Sequence, residues 1–97
     1  MYAVIFKATI ADLDDEYLRM AQQLKELAFK QYGCIDFVSA TEGNEEIAIS
    51  YWESKEQIHD WKNDPEHRRA QQLGRNKWYR SFSIEICEVI KITRPAD

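Results

Sequence analysis

Residues Tyr51–Arg80 read YWESKEQIHDWKNDPEHRRAQQLGRNKWYR, and the punctuation of this stretch decides the fold. Tyr51 and Trp52 close an apolar run that begins at Glu46. Ser54 is followed three residues on by Gln57, a pair whose side chains satisfy each other's backbone N–H groups, so a short helix starts there and runs to about Lys62. Asp64-Pro65-Glu66 restarts it: aspartate caps, proline takes the first helical position, where no N–H is needed, and glutamate sits at the positive end of the dipole. The second helix stops near Gly74, and Arg75 to Tyr79 reads as a loop or a turn of helix. The stretch is therefore strand end, helix, helix and strand start. It also holds all three tryptophans and both histidines of the chain. Apolar walls with a few polar groups to fix orientation are what a ligand cavity needs.

Working outward, Tyr2 to Ile10 alternates Val4, Phe6, Ala8 and Ile10 onto one face, which is a strand. Asp12, Asp14, Asp15 and Glu16 then supply a cap and favourable charge for a helix start. Tyr17, Met20, Ala21, Leu24, Leu27 and Ala28 recur at helical spacing and read as core, and Gly33 follows, where positive φ is wanted. Cys34–Thr41 and Glu46–Trp52 are two more strands, joined by a two-residue turn with Gly43 at its first central position and Asn44 at the second. Ser81–Ile92 is the last strand, with Phe82, Ile84, Ile86, Ile90 and Ile92 in phase, and residues 93–97 form a loose tail. The order is βαββαβ, an α+β ferredoxin-like fold: a four-stranded antiparallel sheet with helices on one face, in one domain spanning residues 1–97.

The sheet face without helices is expected to collect Ala3, Ile5, Val38, Ala40, Ala48, Trp52, Cys87 and Val89, interrupted by Lys7, Asp36, Ser50 and Glu85. That surface is too apolar for water, and a second copy of the chain would cover it, which implies a two-fold homodimer. Cys34 and Cys87 have no metal-ligand spacing, fall on strands expected at opposite sheet edges, and read as buried free thiols. The net charge of −4 argues against a nucleic-acid partner. Acids outnumber bases over residues 1–61 and bases outnumber acids over residues 62–97, so positive charge lies beside the aromatic stretch. No apolar run approaches the ~20 residues of a membrane span, and a basic leader followed by an apolar segment is lacking; the expectation is a cytoplasmic protein with no membrane partner.

The segments YWESKEQ (Tyr51–Gln57), DPEHRRAQQLGRNKWY (Asp64–Tyr79) and FSIEICEV (Phe82–Val89) resemble the antibiotic biosynthesis monooxygenase family of dimeric α+β barrel proteins. The resemblance implies a homodimer with a small-molecule cavity in each subunit between sheet and helices. It also implies chemistry without metal or flavin, in which an electron-rich aromatic or quinol is oxidised by molecular oxygen, so no cofactor and no metal are expected. Family members are diverse. In those that oxidise polyketides a cavity tryptophan matches Trp52, but their functional asparagine falls on Ala48 and their tyrosine on Ile58. In those that degrade haem a tryptophan matches Trp61, but their iron-ligating histidine falls near Ala70 or Gln71, almost a turn past His67, and their first-strand asparagine falls on Lys7. Haem degradation is disfavoured on that ground.

The chemistry calls for a base, a donor for developing oxyanion charge and a dry cavity. His67, with a reference pKa of ~6.5, is the candidate base, placed in the first turn of its helix where the charged form is disfavoured. Arg75 is the candidate oxyanion partner and Tyr79 a phenolic donor, while Trp52, Trp61 and Trp78 are candidate substrate-binding walls. Each has a plainer reading. His67 can simply bond to backbone or sit at a dimer seam, Arg75 can clamp a helix end, and the tryptophans can be packing. His59 reads as surface. A non-catalytic small-molecule binding protein of the same fold is the alternative function, favoured by Ala48 and Ile58.

Overall fold

The strands β1 (Tyr2–Ile10), β2 (Asp36–Glu42), β3 (Glu45–Trp52) and β4 (Tyr79–Glu88) pair in the order β2-β3-β1-β4, every pair antiparallel. Three helices, α1 (Asp15–Lys30), α2 (Lys55–Lys62) and α3 (Pro65–Leu73), complete the expected order, and α3 runs straight into a π turn, Gly74–Trp78. The computed structural model describes residues 1–95. Residues 93–95 are exposed coil, and the rest of the expected tail lies outside the described residues.

Local chemistry places each boundary. Asp14 caps α1 by accepting the Tyr17 N–H at 2.9 Å. Ser54 and Gln57 form the reciprocal cap of α2. Asp64 accepts the Glu66 N–H at 2.8 Å ahead of Pro65 at the start of α3. Gly43 has φ +58° and Asn44 does not have positive φ, which is the turn geometry that wants glycine first. Gly33, at φ +80°, turns the chain from α1 into β2.

Several boundaries differ from expectation. β2 begins at Asp36 rather than Cys34 and runs to Glu42. The α3 backbone does not stop at Gly74; its φ of −60° is helical, and the Tyr79 N–H reaches back to the Gly74 carbonyl, five residues away. Tyr79 is consequently the first residue of β4, not part of a loop. β4 ends at Glu88, so Ile90 and Ile92 lie beyond the ladder although they keep its phase.

The larger correction concerns which side of β3 faces the helices. Val4 pairs with Ser50, Phe6 with Ala48 and Tyr2 with Trp52 across β1–β3, so Ala48, Ser50 and Trp52 share the helix-covered face. Ile47, Ile49 and Tyr51 take the uncovered face instead, beside Ile5 and Val38. Both phases of this strand are apolar enough to be buried, so alternation alone does not choose between them. The bulk of Trp52 does: it is fully buried under the helices, and its indole N–H donates to Ser50 Oγ at 2.8 Å. Trp52 joins Val4, Ala28, Cys34, Ile58 and Trp61 in the main core, at the end of the sheet where α2 docks. Cys34 is buried as expected, Cys87 is only half-buried, and both are free thiols. With β2 and β4 at opposite edges they cannot approach each other.

Candidate functional site

Between the helices and the sheet lies a cavity of about 480 Å³, within the range of small-molecule sites. Val4, Phe6, Ala48, Ser50, Phe82 and Ile84 form its floor on the sheet. Tyr17, Met20, Ala21 and Leu24 of α1 form its roof, so the α1 stripe that reads as core by its periodicity is also cavity wall. Ala70, Gln71 and Gly74 close the side along α3.

Two aromatic clusters stand at its ends. At one, Trp61 stacks on Trp52 with centroids 5.1 Å apart and carries the His67 ring at 4.4 Å. The Trp61 indole is pinned by donating to the Leu24 carbonyl at 3.2 Å. At the other, Tyr17 meets Trp78 edge-on at 5.3 Å and Tyr79 at 6.2 Å, and Tyr79 also packs on Phe6 at 5.3 Å. Asp14 ties this end together, accepting from the Trp78 indole at 3.1 Å and pairing with Lys77 at 2.5 Å while it caps α1. Its bond to Lys77 is the main reason its carboxyl is held below the ordinary carboxylate range. Gly74 leaves room for Tyr79: a Cβ there would stand 3.0 Å from the phenol ring.

The candidate residues are not all brought together. His67, Trp61, Trp78 and Tyr79 line the cavity. Trp52 lies beneath Trp61 with no exposed surface, outside the cavity wall. Arg75 is exposed on the π turn and does not reach the wall, and His59 is on the surface. Ile58 is buried in the core, whereas Ala48 is floor. Among the described residues no cluster of three or more histidine, cysteine, aspartate or glutamate side chains could hold a metal ion.

Several polar residues of the wall were not singled out as site candidates from the sequence, among them Glu46, Tyr17, Gln71, Thr41, Lys25 and Lys62. The Tyr17 hydroxyl donates to Glu46 Oε1. Burial, reinforced by Glu46, raises the Tyr17 pKa, and burial together with Tyr17 and Glu46 raises that of Tyr79. Both phenols thus remain protonated donors at neutral pH. Gln71 Nε2 lies 3.0 Å from His67 Nδ1. With the amide donating, Nε2 is the protonated nitrogen of the ring; with the amide turned, Nδ1–H donates to it and Nε2 is an acceptor.

Burial is the main cause that lowers the His67 pKa to about 4, with the Lys62 charge adding to it. The sign follows from linkage. Between about 4 and the unfolded value of ~6.5 the unfolded chain binds the proton and the folded chain does not, so stability is whole above that window and falls as pH drops through it. A shift of this size corresponds to roughly 3 kcal/mol at most. Urea unfolding of the wild type and of His67→Leu, each followed from pH 7 to pH 4, checks this. The wild type loses the extra stability on acidification and the variant does not; parallel profiles would contradict a depressed His67 pKa.

A family model described as antibiotic biosynthesis monooxygenase matches residues 1–73. The uncharacterised protein YqjZ of Bacillus subtilis (strain 168) is 34% identical over 89 residues, covering 91% of this chain and 78% of its own length. Among solved structures, Rv0793 from Mycobacterium tuberculosis superposes with a TM-score of 0.79 at 12% identity, covering 96% of this chain and 98% of that one. SnoaB, a cofactor-independent oxygenase from Streptomyces nogalater solved in a mutant form, superposes with a TM-score of 0.77 at 12% identity, covering 94% of each chain. At such identities the superpositions show the shared fold, and the family rests on the sequence matches. The chain belongs to the antibiotic biosynthesis monooxygenase family.

Proposed function

We propose that this protein is an oxygenase that oxidises a small electron-rich aromatic, a phenol or quinol, with molecular oxygen and without a cofactor of its own. The observation that carries the reading is the cavity of about 480 Å³ itself, walled by aromatic rings and lined by a half-buried imidazole whose pKa is lowered to about 4. A hydroquinone supplies its own electrons: one oxygen atom enters the ring, the other leaves as water with two hydrogens from the substrate, and the product is a hydroxyquinone. An external reductant is then unnecessary.

In this reading His67 is the proton acceptor. Its depressed pKa makes it a weak base toward a resting phenol, but a phenol becomes strongly acidic as an electron leaves it for oxygen, and a weak base then suffices. Trp61 and Trp78 hold the ring, and Tyr79 donates to developing oxyanion charge. Trp52 supports Trp61 from below. Arg75 stays at the surface and has no part in the chamber. The alternative, a binding protein that leaves its ligand unchanged, is favoured by Ala48, which presents only a methyl group to the cavity floor.

Oxygen-electrode measurements with a panel of hydroquinones and phenols separate the two. The oxygenase consumes oxygen, and His67→Ala lowers the rate by roughly 100-fold, the lower end of what a positioned acid–base group contributes. Recovery of the ligand unchanged with no oxygen uptake would leave the binding reading standing.

We also infer a homodimer through the uncovered sheet face, where Ile47 is 43% and Val38 50% exposed. Sedimentation equilibrium is expected to give twice the mass of the chain, and Ile47→Lys to give one. A monomeric wild type would contradict the pairing.

A further inference from the structure

Glu46 stands near the start of β3 on the helix-covered face, only 9% exposed, in the cavity wall beside Tyr17, Tyr79 and its cross-strand neighbour Thr41. A carboxylate taken out of water is costly unless it is paired and fully hydrogen-bonded. Glu46 is neither. Among the described residues no salt bridge reaches it, Tyr17 satisfies Oε1, the Tyr79 phenol stands near enough for Glu46 to raise its pKa, and Oε2 is buried with no partner at hydrogen-bond distance. Glutamine would keep the Tyr17 bond without the charge, so the fold alone gives no reason for a carboxylate. Buried acceptors left open in native proteins are few, and one in a cavity wall marks where a ligand completes the bonding.

We propose that Glu46 is the anchor for a ligand hydroxyl, and so a specificity-determining residue. Oε2 accepts a hydrogen bond from an O–H of the aromatic ligand while Tyr17 holds the carboxylate in place. The terminal torsion of a glutamate is broad, so a small turn presents Oε2 to the chamber. The inference rests on the phenol or quinol reading above and adds the recognition that reading lacks. The seven residue steps along α1 from Tyr17, over Glu46, to Leu24, over Trp61, span about 10 Å at ~1.5 Å per step. A ring system anchored at Glu46 therefore extends toward Trp61 and His67. The same carboxylate disfavours an anionic group at the anchored end of the ligand, so the group it holds is a neutral hydroxyl.

Calorimetric titration of hydroquinone and of its dimethyl ether, under nitrogen, into the wild type and Glu46→Gln tests this. A hydrogen bond to a charged acceptor corresponds to roughly tenfold in affinity or more. The wild type is expected to bind hydroquinone at least tenfold more tightly than the ether. Glu46→Gln should lose that preference while keeping the ether affinity within twofold, which shows the cavity intact. A preference unchanged in Glu46→Gln, or none in the wild type, overturns the assignment. Oxygen uptake distinguishes this failure from that of the oxygenase reading: a Glu46-dependent preference without oxygen consumption keeps the anchor and removes the chemistry. Oxygen consumption with a Glu46-independent preference does the reverse.

Discussion

Two aromatic clusters hold the helices off the sheet, and everything else about the site follows from their separation. Trp52, Trp61 and His67 stack at one end, and Phe6, Tyr79, Tyr17 and Trp78 interlock at the other. Between them several wall positions are small: Ala48 and Ser50 on the sheet, Ala21 and Ala70 on the helices. Close packing is the normal state of a protein interior, and a small side chain opposite another small one cannot achieve it when larger pillars set the spacing. The hollow is therefore built into the pattern of side-chain sizes.

The spacing is enforced by polar bonds that each join two elements. Asp14 caps α1 and receives the indole of Trp78, so the start of α1 and the end of the π turn move as one. Trp61 donates to the Leu24 carbonyl, joining α2 to α1, and the Tyr32 hydroxyl donates to Asp64 at 2.7 Å, joining the loop after α1 to the start of α3. A hydrogen bond of this kind contributes only about 1 kcal/mol net, but its directionality fixes position where apolar contact alone would not. The π turn matters for the same reason. One extra residue in the helical turn lets Trp78 be buried and starts β4 at Tyr79, whose ring uses the space that Gly74 leaves.

Most of the fold was legible because its signals are local. The Ser54–Gln57 cap, Asp64-Pro65, Gly33 and the Gly43-Asn44 turn each act over a few residues and need nothing from the rest of the chain. The phase of β3 was not legible, since Ile47, Ile49 and Tyr51 compete with Ala48, Ser50 and Trp52, and only pairing with β1 decides. The site divides the same way. His67, Trp61, Trp78 and Tyr79 were candidates by residue type within one stretch and lie along one cavity, while Trp52, a candidate on the same ground, lies outside its wall. Arg75 was drawn in by its neighbours in sequence, but the π turn leaves it facing solvent. Glu46 and Tyr17 were passed over because they are 29 residues apart and meet only when β3 passes under α1. An inward-facing glutamate two residues before Ala48 was the available clue, and it carries meaning only once the strand's phase is known.

The central claim is that the gap between helices and sheet receives a small hydroxylated aromatic molecule. Backbone and indole ¹H–¹⁵N spectra recorded while hydroquinone is added under nitrogen test it most directly. The account predicts shifts at Tyr17, Phe37, Glu46, His67 and the indoles of Trp61 and Trp78, with Ile5, Ile47 and Ile49 on the opposite sheet face unmoved. Shifts confined to that opposite face, or none at saturating ligand, would contradict it.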